Sequence, residues 1–115
     1  MSLCLVANWK LNGSKEFNHQ WALEFLRNFN GNNFSILGIA PASLYIDHLK
    51  TILTDYDIEI GSQNIDLEET GARTGEISAS MIKDLGCAFS IIGHSERRML
   101  FHETNQMICQ KLIQA

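Results

Sequence analysis

A chain of 115 residues, 45% hydrophobic and 19% charged, is one domain by size and long enough to bury a core of its own. Its formal net charge of −4, with no basic run longer than Arg97-Arg98, excludes a general nucleic-acid binder or a binder of acidic membranes, because the required electrostatic footprint is missing. The opening MSLCLVANWK has no basic region, and its apolar run is too short for a secretory signal or a transmembrane helix, so a cytoplasmic location is expected. Cys4, Cys87 and Cys109 are an odd number at distant spacings without a CxxC pattern, which points to reduced structural thiols.

The first apolar run, LCLVANW (Leu3 to Trp9), has the length of a strand. After it, Phe17, Trp21, Ala22, Phe25, Leu26 and Phe29 repeat at helical spacing behind Ser14, an N-cap residue, with Glu16 in the first turn. SILGIA (Ser35 to Ala40) reads as a second strand. Leu44, Leu49, Ile52 and Leu53 suggest a helix starting near Pro41, a residue tolerated in a first turn. DIEIGS (Asp57 to Ser62) is the third strand, and the non-periodic SQNIDLEETGARTGEIS after it is too long for an ordinary connection; such loops are usually functional. Met81, Ile82 and Leu85 suggest a short helix with Ser78 near its start and Gly86 placed for a left-handed C-cap. AFSIIGH (Ala88 to His94) is the fourth strand. ETNQMICQKLIQA closes the chain as a helix capped by Thr104 or Asn105, with Met107, Ile108, Leu112 and Ile113 as its apolar stripe, still running at Ala115.

Strand followed by helix, repeated four times, implies parallel strands joined by right-handed crossovers, so the class is α/β. In such sheets ligands bind beyond the carboxyl ends of the strands, where the chain places Asn8 and Lys10, then Gln63 and Asn64, then His94 to Glu96. A period of two puts Asn8 and Lys10 on one face and Trp9 on the other, a ready anion site; a solvated loop lysine is the competing reading. His94 competes with an ordinary packed or surface histidine. Gly93 leaves room for close approach, and Ser95 and Glu96 look like a first helical turn, whose positive dipole lowers an imidazole pKa. His19, His48 and His102 have no comparable setting and are expected in solvent. Arg97 and Arg98 suit either phosphate binding or structural ion pairs.

Three segments, ANWKLNG, SQNIDLEETGARTGEIS and IIGHSERRMLFHET, resemble the N-terminal half of the triosephosphate isomerase family, in order and at the family's spacing, over Leu5 to Glu103. The resemblance implies the (β/α)8 TIM barrel, here its first four βα units, so that residues 1–115 are the N-terminal half of one barrel domain ending inside or near the fourth helix. It implies interconversion of dihydroxyacetone phosphate and D-glyceraldehyde 3-phosphate in glycolysis and gluconeogenesis, without cofactor or metal. Carried over by position, Asn8 and Lys10 line the substrate site, Lys10 stabilises phosphate and enediolate charge, and His94 is the neutral electrophile that polarises the carbonyl and moves protons between the two oxygens. The family is itself the standard example of a histidine whose pKa a helix N-terminus lowers, so that effect enters with the resemblance. Ser95 and Glu96 resemble the supporting residues, with Glu96 near Lys10. The loop containing Gln63, Thr74, Gly75 and Glu76 resembles a dimer loop, with Thr74 reaching toward the partner's site in an obligate two-fold dimer.

The family's general base is a glutamate in a YEPVWAIGTG-like segment, and no such run occurs in this sequence; the closing lid and the later phosphate-holding loops have no counterpart either. Proton abstraction needs a positioned base, and Glu76, Glu96 and Glu103 lack the motif context for one. The expectation is an isomerase whose electrophile and lysine lie in these residues, with the 115-residue chain inactive alone. The alternative is a non-catalytic half-barrel module that assembles with a complementary half or with itself, since two strand edges and an apolar inner face favour association.

Overall fold

In the computed structural model, which describes residues 2–29 and 34–115, the apolar runs become four parallel strands in the order β1-β2-β3-β4. They are β1 (Cys4–Asn8), β2 (Ile36–Ala40), β3 (Glu59–Ser62) and β4 (Phe89–Ser90). Helix α1 (Lys15–Asn28) follows β1; a 3-10 turn (Ser43–Tyr45) runs into α2 (Ile46–Ile52) after β2; α3 (Ala79–Asp84) follows β3; α4 (Ser95–Leu100) and α5 (Asn105–Gln114) follow β4. These are four consecutive βα units of an α/β fold in the order the first half of a (β/α)8 barrel requires.

Alternation along the strands divides the sheet into two faces. Ile39 and Ile60 pack outward with Ala22, Ile46, Leu49, Leu53, Ile65 and Ile82 to form the core beneath the helices. On the opposite, inner face, Gly38 and Gly61 make room for the Phe89 ring: a Cβ on Gly61 would stand 2.4 Å from Phe89 Cε2, and one on Gly38 2.8 Å from Cε1. Neither glycine answers a backbone requirement there; both vacate volume for one aromatic side chain.

The helix starts follow the local signals. Ser14, Ser78 and Thr104 are the N-caps of α1, α3 and α5, and their hydroxyls accept from the backbone N–H groups of Phe17, Met81 and Met107 at 3.1, 3.2 and 3.2 Å. Gly86, with φ +76°, turns the chain after α3 as expected.

Several expectations need correction. The fourth strand pairs only over Phe89–Ser90: Ile91 N–H still donates to Ser62 C=O at 2.8 Å, but Gly93, at φ +68°, ends the extended run. The second helix begins at Ile46 rather than near Pro41, which leaves Leu44 83% exposed and gives Ile46 the buried position. On α1 the aromatic residues stack along the flank, Trp21 on Phe25 at 5.0 Å and Phe25 on Phe29 at 5.1 Å. The helix buries Ala22 and the unanticipated Asn18, whose side-chain amide has no hydrogen-bond partner among the described residues. Leu112 and Ile113 of α5 are exposed, because Ile108 and Lys111 take the inner face. His48, expected in solvent, is half-buried with a covered Nδ1, whereas His19 and His102 are exposed. Cys4, Cys87 and Cys109 are all free thiols: Cys87 is half-buried, with burial pushing its pKa up, while Cys4 and Cys109 are exposed. No helix among the described residues is long and apolar enough to cross a membrane.

Candidate active site

The carboxyl ends of the four strands enclose a cleft of about 490 Å³, lined among others by Asn8, Lys10, Gln63, Asn64, Gly75, Glu76, His94 and Glu96. Lys10 stands two residues past β1 and has left-handed backbone geometry, φ +55°. The period-two argument for its direction therefore does not apply, since the chain leaves the extended region before reaching it. Three groups hold Lys10 in place. Its N–H donates to Asn8 Oδ1 at 3.0 Å, its carbonyl accepts from Gln63 Nε2 at 2.9 Å, and its ammonium donates to Glu96 Oε1 at 2.6 Å. The Lys10 ammonium beside it holds the Glu96 carboxyl below the usual carboxylate range. Trp9 turns away and packs edge-on against Trp21 at 4.7 Å.

His94 is the N-cap of α4, and Glu96 N–H donates to its Nδ1 at 3.2 Å. With Nδ1 turned to the α4 backbone and 3.6 Å from Glu96 Oε2, Nε2 is the ring nitrogen left to face a ligand. Gly93 is needed for its positive φ and because a Cβ there would meet Ile108 Cδ1 at 2.9 Å. The room expected for a ligand is filled by α5. Ser95 opens α4, exposed and outside the cleft lining. In the long loop Gly75 and Glu76 reach the cleft while Thr74 lies outside its lining. That loop is braced at its base: Asp66 N–H donates to Ile77 C=O at 2.8 Å, and the Arg73 guanidinium pairs with Asp66 through Nε and through Nη2, the latter at 2.8 Å from Oδ1. The Arg73 hydrogen bond lowers the Asp66 carboxyl to about 2.

A strand-end cleft holding a lysine, an asparagine and a histidine accompanies a sequence match: residues 3–115 fit the family described as Triosephosphate isomerase. The chain belongs to the triosephosphate isomerase family. The triosephosphate isomerases of Baumannia cicadellinicola subsp. Homalodisca coagulata, Blochmanniella floridana and Histophilus somni (strain 129Pt) are 46%, 45% and 42% identical to it. These similarities cover 93%, 96% and 93% of this chain but 42%, 44% and 42% of the relatives. The chain thus spans less than half the length of the triosephosphate isomerases it matches, as a curled four-strand half barrel.

Behind the cleft is a buried polar network that sequence reasoning did not find. Glu103, with no exposed side-chain area, pairs with Arg97 and lies 3.2 Å from the Lys111 ammonium, which also donates to Asn64 Oδ1 at 2.8 Å. Burial alone would raise the Glu103 pKa, but the hydrogen bonds from Arg97 and Lys111 outweigh it and hold the carboxyl below its usual range. Arg97 is therefore a structural ion-pair partner, of Glu103. Arg98 donates from Nη1 to Asn105 Oδ1 at 2.7 Å. The available signal was Lys111 itself, a cation three residues after Ile108 on what reads as an apolar stripe. A depression of about 530 Å³ between α3 and the end of α5 is larger than the strand-end cleft but contains none of the predicted site residues.

Proposed function

We propose that the protein carrying this chain interconverts dihydroxyacetone phosphate and D-glyceraldehyde 3-phosphate through an enediolate, with these residues as the N-terminal half of its barrel domain. The observation that carries the reading is the meeting of Asn8, Lys10 and His94 in one strand-end cleft of a chain from this family. In this reading Lys10 and Asn8 bind the substrate, and the Lys10 ammonium offsets the phosphate and enediolate charge. His94 donates its Nε2 hydrogen to the carbonyl oxygen and moves the proton between O1 and O2, while Ser95 and Glu96 support it. Glu96 and Glu103 are taken up by cations and Glu76, though it lines the cleft, lacks the motif context of a base, so in this reading the base is assigned to the protein outside residues 1–115 and the 115-residue chain is assigned no activity of its own. A homodimer through the Gln63 to Glu76 loop and a cytoplasmic place in glycolysis and gluconeogenesis belong to the same reading; the Asp66–Arg73 brace supports a loop pre-shaped for a partner.

The test is isomerase assay of the protein expressed from its full reading frame. Lys10→Met and His94→Gln should each cost roughly a hundredfold or more in kcat/KM; unchanged activity in either would sink the assignment. A second reading, a non-catalytic half barrel that acts by assembly, draws on Leu5 and Val6 of β1, which are 48% and 40% exposed. Size-exclusion chromatography of the 115-residue chain discriminates it: a well-behaved inert monomer counts against assembly.

A further inference from the structure

We propose that Gln63 is a positioning residue that holds Lys10 in its left-handed conformation and so aims the ammonium into the cleft; this rests on the catalytic reading of Lys10. A residue with a Cβ is disfavoured at positive φ, and such geometry persists only where the surroundings over-determine it. The Lys10 side chain cannot be the sole cause, because both it and Glu96 are about half exposed, with 51% and 46% of their side-chain areas open. The backbone contacts are firmer. Gln63 Nε2 donates to Lys10 C=O and to Ala40 C=O, both at 2.9 Å, so from just past β3 it ties Lys10, two residues past β1, to the end of β2.

Both amide hydrogens are spent on carbonyls, which fixes which way the amide faces: the nitrogen must point at the two backbone oxygens. Glutamate in this place would set a carboxylate oxygen against two carbonyl oxygens, and leucine would leave both without the donor. Asparagine keeps the amide but is one methylene short of reaching from β3 across to β1. Once the carbonyl of Lys10 is released, only the Asn8 contact to its N–H remains on the backbone, too little to over-determine a positive φ, and the residue relaxes with the ammonium leaving the position it shares with Glu96. With its amide nitrogen committed to the two carbonyls, Gln63 acts on the reaction through Lys10.

The experiment is a double-mutant cycle on the protein expressed from its full reading frame, with crystal structures of the single variants. Gln63→Leu, and Gln63→Asn as the milder change, should lower kcat/KM by roughly tenfold with Lys10 present. In a Lys10→Met background, Gln63→Leu should have less than about a twofold further effect, because the residue it acts through is gone. In the crystal structure of either Gln63 variant Lys10 should leave the positive φ region. Equal losses in both backgrounds would reduce Gln63 to a general structural residue and overturn the proposal, as would a Gln63→Leu structure that keeps Lys10 left-handed. Full activity in Lys10→Met alone would instead remove the catalytic reading of the lysine, while the Lys10 φ in Gln63→Leu still decides whether Gln63 holds the backbone.

Discussion

Replacing Arg73 by methionine removes the guanidinium that brackets Asp66 and keeps most of its aliphatic bulk, so the change isolates the charge that braces the long loop. Asp66 falls from 3.8 to about 2, with the Arg73 hydrogen bond as the largest cause; at about 1.36 kcal/mol per pH unit this caps the linked stabilisation near about 2 kcal/mol. Arg73 is 39% exposed, and solvent screening of such a pair brings the expected cost of Arg73→Met to about 1 kcal/mol at pH 7. The sign follows from the depressed carboxyl. Its contribution is complete above the unfolded value near 3.8, and it is lost as pH falls through the folded value near 2. About half of it should remain at pH 3 and under a fifth at pH 2. Urea unfolding of the wild-type chain and Arg73→Met at pH 7, 5 and 3 measures the difference directly. A gap that stays constant from pH 7 to 3, or one of a few tenths of a kcal/mol at pH 7, would refute the brace; the backbone N–H groups of Leu67 and Glu68 would then be what holds the carboxylate.

Gly61→Ala forces a methyl into the Phe89 ring and should cost about 1–3 kcal/mol in thermal or urea unfolding; adding Phe89→Leu should recover part of it, and two independent losses would show that the ring is not the obstacle. Glu103→Gln leaves Arg97 and the buried Lys111 without their anion and should destabilise by about 3–5 kcal/mol in denaturant unfolding, with a loss under about 1 kcal/mol counting against the network. Asn18→Leu replaces a fully buried amide that has no partner among the described residues and should raise stability by about 1 kcal/mol; a fall would reveal a bound water or a backbone group holding the amide.

The parts of the fold that were legible in the sequence are those whose cause is local. Ser14, Ser78 and Thr104 cap the N–H group three residues on, so both partners sit in one short window, and Gly86 needs only its own φ. The strand-end positions of Asn8, Lys10, Gln63 and His94 followed from four short apolar runs and the rule that parallel sheets work at their carboxyl ends. What was not legible depends on partners far along the chain. Lys111 displaces Leu112 from the buried face of α5 because Asn64, 47 residues away, accepts its hydrogen bond, and periodicity within α5 contains no trace of that. Nor does the sequence around Lys10 announce a left-handed residue, since of the three groups that hold it only Asn8 is local, while Gln63 and Glu96 come from far along the chain. Gly93 misled for the same reason: its free volume belongs to Ile108, fifteen residues downstream.

The contact between Lys10 and Glu96 also reports on the sheet as a whole. β1 and β4 are the outermost strands of the four, and in a flat sheet three strand spacings would separate them by roughly 14 Å. The two residues, 86 positions apart, meet at 2.6 Å through two long side chains carried just past the strand ends, in keeping with a sheet curled as in a half barrel. That curl has a filling: Phe89 lies across the inner face in the space that Gly38 and Gly61 leave open. The small residues of β2 and β3 leave the inner face open to that ring, and a bulkier side chain at either position would have to displace it. A methyl group added at Gly61 touches neither Lys10 nor Glu96 but stands against Phe89, so a crystal structure of Gly61→Ala should show the Phe89 ring displaced and the Lys10–Glu96 separation increased; an unchanged separation would show that the ring does not govern the curl.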